Sequence, residues 1–210
     1  MTVQTGINNI SNEWFNPTID KKVLKNLSKR SDYEGWKHIL IFFSCLLSLG
    51  IASVASWGTI WFIPIYVFYC TLWGGADAIW HECGHRTAFK TRKLNDFFYT
   101  IASYMNNFEP VRWRWSHSLH HSYTASIDPH DYEVDCINSS RLFVLLWLST
   151  IVLSITLGSF LPIFLFLLPK FFTFLNAIWG LTQHMGLKED TKDHRLSTRS
   201  VRLSMIPSFI

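Results

Sequence analysis

Five of the nine histidines fall in two short clusters, His81-Glu82-Cys83-Gly84-His85 and His117-Ser118-Leu119-His120-His121. On a helix, residues i and i+4 share a face with Cβ atoms about 6 Å apart, so His81 and His85 can reach one metal ion or two adjacent ones. His117, His120 and His121, at i, i+3 and i+4, also face one way. Adjacent His120 and His121 still diverge by about 100° and can serve different ions. An HxxxH is a weak signal alone, but by composition an HxxHH arises by chance in only roughly 2% of such chains. Imidazole suits iron, zinc, copper or nickel, and clusters this poor in oxygen do not suit hard cations. Glu82, Asp128 and Asp131 are candidates to accept a hydrogen bond from a ligating imidazole and fix its orientation. Glu133 and Asp135 are expected only to solvate their loop. His38 and His194 stand without partners and are expected to be ordinary polar residues.

The elements that must carry these clusters are apolar helices. The 210 residues are 49% hydrophobic and 16% charged, against roughly 25% charged in a soluble domain. Neither residues 38–76 nor residues 142–169 contain Asp, Glu, Lys or Arg. Each run exceeds the roughly 20 residues that cross a bilayer. The chain is therefore expected to be an all-α integral membrane protein with about four transmembrane helices in two hairpins. The layout is an interfacial leader at 1–36, a first hairpin at 37–80, a histidine-rich region at 81–141, a second hairpin at 142–183 and a tail at 184–210. Ile19, Val23, Leu24 and Leu27 recur at helical spacing among lysines, the pattern of a helix lying in the membrane surface. Ser31 and Glu34 have the capping-box spacing that opens a helix.

The first turn is expected near Ser56-Trp57-Gly58, between a helix of about 19 residues and another near 59–80. The second turn falls between residues 158 and 170, because a turn at Gly158-Ser159 leaves Lys170 deep in the apolar layer. Lysine and arginine concentrate before, between and after the apolar blocks, which puts the three polar segments on the cytoplasmic face. Two hairpins then return the chain to that face, gathering His81, His117 and His184 there. The basic residues set topology, and no nucleic-acid partner follows from them. Arg112, Trp113, Arg114 and Trp115 flank the second cluster and are expected to anchor at the interface, with contact to a substrate head group the sharper reading. Asp77 is the one acid inside its span, and intramembrane carboxylates are costly and rarely idle. The small residues Gly74, Gly75, Ala76 and Ala78 suit close helix packing. Cys45, Cys70, Cys83 and Cys136 form no CxxC pair, and disulfides are not expected.

HECGH at 81–85, followed by WRWSHSLHH at 113–121, resembles the first and second histidine boxes of the membrane fatty acid desaturase family. GLTQHMGL at 180–187 resembles a segment ahead of the third box in bacterial members. The likeness runs from roughly Trp14 to the end. It implies a di-iron centre on the cytoplasmic side, with O2 as co-substrate and two external electrons to desaturate a membrane acyl chain. By position, His81 and His85 match the first box, and His117, His120 and His121 the second. His184 resembles an additional ligand. No catalytic group is implied beyond these ligands.

The family's third box has no counterpart after His184, so the resemblance implies a C-terminally truncated member and an inactive 210-residue chain. Breaking an unactivated C–H bond is beyond any side chain, which fits a cofactor-borne reaction. No GxGxxG, haem or iron–sulfur motif is present, so a separate ferredoxin- or cytochrome-type protein is expected to bring the electrons. A di-iron membrane hydroxylase or monooxygenase would use the same histidines. A non-enzymatic haem- or metal-binding membrane protein is the reading from another class.

Overall fold

The computed structural model describes residues 18–122, 137–173, 186–187 and 193–197. Every regular element among them is helical. Helix α1 (Lys21–Leu27) is capped by Asp20, whose carboxylate accepts from the Lys22 and Val23 amides. Ile19, Val23, Leu24 and Leu27 are all exposed. Helix α2 (Asp32–Ala55) opens as its capping spacing predicts, the Ser31 hydroxyl accepting from the Glu34 amide at 3.4 Å. Its 24 residues span about 36 Å, longer than the apolar run suggests, because the polar first turn is helical too.

The chain reverses at Gly58, whose φ of 79° is left-handed, a conformation glycine adopts without steric cost. Helices α3 (Phe62–Gly74) and α4 (Ala76–Gly84) follow, joined through Gly75. The Gly75 amide is shared between the Thr71 and Leu72 carbonyls at 3.2 and 2.9 Å, so the rod tightens there without ending. Asp32–Ala55 and Phe62–Gly84 are the two helices, among the described residues, long and apolar enough to cross a membrane. The helix expected to stop near residue 80 continues through the first histidine cluster.

Helix α5 (Arg92–Asn106) lies against α4 and buries Phe98, Tyr99, Ala102 and Met105 in the core formed with Tyr69, Trp73 and Trp80. Its C-terminal carbonyls are also inside, and each needs a donor. The Trp73 indole donates to the Met105 carbonyl at 2.9 Å, and the Lys170 ammonium donates to that of Tyr104. Lys170 also sits over the Tyr104 ring. The depth that counted against a turn at Gly158 is thus where Lys170 finds partners.

Helix α6 (Pro110–Ser122) carries the second histidine cluster. In the second hairpin α7 (Ile137–Thr156) turns at Gly158, φ 57°, into α8 (Leu161–Phe166) and a 3₁₀ segment, Leu168–Thr173. The apolar stretches Arg141–Thr156 and Leu161–Phe171 are shorter than a full crossing. Residues 174–183, expected to complete the return, lie outside the described residues. Pro169 has no amide to bond the Leu165 carbonyl. The Tyr69 hydroxyl donates to that carbonyl at 2.7 Å, and Tyr66 to the Phe164 carbonyl at 2.7 Å. Two tyrosines of α3 thereby hold the broken helix in place. Cys45, Cys70 and Cys83 are free thiols, and Cys136 lies outside the described residues.

Candidate metal centre

The loop between α4 and α5 is fixed before any metal enters. Helix α4 ends with the Arg86 amide on the Cys83 carbonyl at 3.0 Å and the Thr87 amide on the Glu82 carbonyl at 3.0 Å. This is the Schellman pattern, whose left-handed residue is here Arg86, φ 60°. Buried Asn95 bonds Phe89 through both its amide oxygen and nitrogen, at 3.1 and 2.8 Å. Asp32 accepts from the Thr91 amide and hydroxyl at 2.8 and 2.7 Å. Gly35 leaves the space this loop needs, since a Cβ there would lie 2.6 Å from the Ala88 carbonyl oxygen. His85, the C-cap of α4, is held on this fixed segment.

Helix α6 brings the second cluster to the first. Phe108 and Trp113 stack with centroids 4.5 Å apart, and buried Trp80 meets the His117 ring at 4.9 Å. One ligand atom from each of His81, His85, His117 and His121 falls in a group no more than 4.8 Å across. The Nε2 of His117 lies 3.0 Å from that of His85 and 3.1 Å from that of His121. Imidazole nitrogens bind first-row metals at about 2.0–2.1 Å, so neighbouring ligands on one ion stand about 3 Å apart. The two separations about His117 fit that spacing. The donor set is imidazole alone, which selects a transition metal over calcium or magnesium.

The electrostatics point the same way. Burial, then the neighbouring His81, His121, His85 and His120 rings, push the His117 pKa down to about 3. His85 is lowered by burial and then by His81. Both imidazoles are therefore neutral at pH 7, the form that offers a lone pair.

The remaining candidates are placed less uniformly. His120 sits apart from the four-nitrogen group, its ring centroid 6.4 Å from that of His117. Glu82 lies against the Thr87 hydroxyl. Asp77 is half-buried on α4, four residues before His81, and no hydrogen bond reaches its carboxylate among the described residues. His38 is exposed on α2, far along the chain from either cluster. His184, Asp128 and Asp131 lie outside the described residues, as do Glu133 and Asp135.

Arg114, expected as an interface anchor, donates to Asp96 Oδ1 at 3.1 Å and lies 4.1 Å from the Tyr99 ring centroid. Asp96, which the sequence did not single out, also accepts from Arg86 Nε at 3.1 Å. Arg92, four residues before Asp96, was the one helical-spacing hint of a charged node there.

Among the described residues every regular element is helical, two helices are long and apolar enough to cross a membrane, and a group of imidazoles that could hold a metal ion sits at the end of one. The fatty acid desaturase family model matches residues 55–138. A sn-1 oleoyl-lipid 12-desaturase of Anabaena variabilis is 30% identical over 125 residues, which cover 57% of this chain and 35% of that protein. A sn-1 acyl-lipid omega-3 desaturase (ferredoxin) of Nostoc sp. is 33% identical over 96 residues, 44% of this chain and 26% of that one. A sn-1 oleoyl-lipid 12-desaturase of Synechocystis sp. is 34% identical over 90 residues, 40% of this chain and 26% of that one. The chain thus covers about a third or less of these relatives' lengths. Over these residues it is similar to the membrane fatty acid desaturase family, and the family model and the relatives support membership. No solved structure matches it significantly.

Proposed function

We propose that this chain carries the histidine-ligated iron centre of an oxygen-dependent fatty acyl desaturase, a multi-pass membrane enzyme of lipid metabolism. The observation that carries the reading is the convergence of His81, His85, His117 and His121 from two separate helices. In this reading His120 and His184 complete the ligand set for two irons. Asp77, Asp128 and Asp131 serve as acceptors that orient imidazoles. When bound, the irons with O2 supply the oxidising power that removes hydrogens from an unactivated acyl chain.

The chain's own residues do the placing. His85 and His117 present neutral nitrogens, and Trp80 covers one side of the His117 ring against water. Nitrogens 3.0 Å apart leave no room for a porphyrin between opposed histidines, which argues against haem. An acyl lipid enters sideways from the bilayer, and a separate ferredoxin-type protein delivers electrons. The names of the Anabaena and Nostoc relatives, with their oleoyl-lipid, acyl-lipid and ferredoxin, support those two assignments. An even number of crossings puts residues 81–122 and His184 on one, cytoplasmic, face.

The test is His117→Ala introduced at the gene's own locus, followed by gas chromatography of the membrane acyl chains. Loss of one class of double bond is expected. Unchanged double bonds with loss of a hydroxylated acyl chain would make the enzyme a hydroxylase, and an unchanged profile would contradict both.

A further inference from the structure

The four histidines come from two segments separated along the chain by α5. His81 and His85 belong to α4 and its cap, while His117 and His121 belong to α6. No residue of α6 is buried. A helix with so little buried surface is free to rock, and metal ligands tolerate displacements of only about 0.5 Å. The Phe108–Trp113 stack and the Trp80–His117 contact hold α6 by apolar packing. They leave its rotation to polar contacts.

Two of those polar contacts meet at one atom. Asp96 Oδ1 on α5 accepts from Arg86 Nε and from Arg114 Nη1, both at 3.1 Å. Arg86 directly follows His85, and Arg114 lies one helical turn before His117. The Nε and Nη2 of Arg114 have no hydrogen-bond partner among the described residues, so Asp96 is its hydrogen-bonded anchor there. The Arg114 guanidinium lies over Tyr99, and the Tyr99 hydroxyl donates to the Pro110 carbonyl at the start of α6 at 2.7 Å. Arg92 adds a third positive charge 3.7 Å from Asp96 Oδ2. Burial pulls the Asp96 carboxyl upward, but the hydrogen bonds from Arg86 and Arg114 outweigh it and hold it below its ordinary value. The group is an anion at neutral pH.

We propose that Asp96 is the positioning residue of the metal centre: by tying Arg86 to Arg114 it sets the distance between the His81/His85 pair and the His117/His121 pair. This rests on the reading of those four histidines as a metal site. Charge-assisted hydrogen bonds to one carboxylate oxygen fix direction as well as distance, which apolar stacking does not.

Cobalt(II), titrated into the purified chain in detergent and followed by its visible absorption, is the probe. Asp96→Ala should weaken cobalt binding about tenfold or more, in the range for groups that orient ligands, and alter the spectrum. Asp96→Asn, which keeps the shape and one acceptor oxygen, should fall between it and the unchanged chain. Arg92→Ala, whose guanidinium makes no hydrogen bond to Asp96, should change affinity less than about twofold. The losses caused by Arg86→Gln and Arg114→Gln should be much smaller when Asp96 is already alanine, the non-additivity of residues acting through one partner. Should Asp96→Ala fail to fold, Asp96→Asn and the two arginine variants carry the same comparison.

Wild-type affinity and spectrum in the Asp96 variants, or additive arginine effects, would overturn the positioning role while leaving the metal site standing. If His121→Ala binds cobalt as the unchanged chain does, both the metal reading and this role fall together.

Discussion

His117 has four imidazole neighbours, His81, His85, His120 and His121. Its Nε2 is 3.0 Å from His85 and 3.1 Å from His121, and its ring is 4.4 Å from that of His81. Replacing it with Ala removes a ligand from the middle of the group. Metal affinity should then drop by more than the roughly 10–100-fold typical of losing an outer hydrogen-bond partner. His38→Ala should leave affinity unchanged, and titration of both variants with ferrous iron checks the pair. The depressed pKa of His117 adds a pH dependence. Below its ordinary value of 6.5 an unfolded chain takes up a proton that the folded, metal-free site refuses down to about 3. Stability is therefore full above about pH 6.5 and lost as pH falls toward 3. Thermal unfolding of the metal-free chain across that range should show a falling midpoint, less steep in His117→Ala.

The four converging histidines were legible in the sequence because i, i+3 and i+4 spacing survives any packing of the helix that carries it. The Asp96 node was not. It joins Arg86, Asp96 and Arg114, which lie on three separate segments (the loop after α4, helix α5 and helix α6) that no helical period relates.

Among the elements, α2 and its turn followed from local chemistry, a Ser31 cap and a left-handed Gly58. The second hairpin did not, because its solution is tertiary. Lys170 is tolerable at its depth only because α5 ends beside it with a carbonyl to accept from it. The kink at Pro169 is tolerable because Tyr69 reaches the carbonyl the proline leaves behind. Such rescue of a broken helix by a neighbour is how apolar surroundings admit proline. Tyr69→Phe keeps the ring in the core but strands the Leu165 carbonyl, at a cost of about 1–3 kcal/mol. Its thermal midpoint should drop, while Tyr33→Phe, at an exposed ring, should behave as the unchanged chain. A Tyr69→Phe variant as stable as the original would mean that another donor reaches Leu165.

At the scale of the whole molecule, the proposed topology puts α1, the α4–α6 region and His184 on one side of the bilayer. Cysteines introduced at Lys29 and Arg112, both exposed, should react with an impermeant maleimide only from the cytoplasmic side, in a background with the native thiols replaced. Labelling of either from the opposite side would separate the leader from the site. Ligand number sets a second expectation. Of six candidate histidines, four form one group, which leaves two for a second iron, so the 210-residue chain should hold clearly fewer than two tight irons by elemental analysis.

The central claim is that His81, His85, His117 and His121 bind one metal together. X-ray absorption spectroscopy of the iron-loaded chain tests it most directly, because imidazole rings give a distinct outer-shell scattering. The predicted spectrum has an imidazole-rich first shell that loses about one ring's contribution in His121→Ala, in line with the donor set. A shell without imidazole scattering, or one unchanged by His121→Ala, would contradict it.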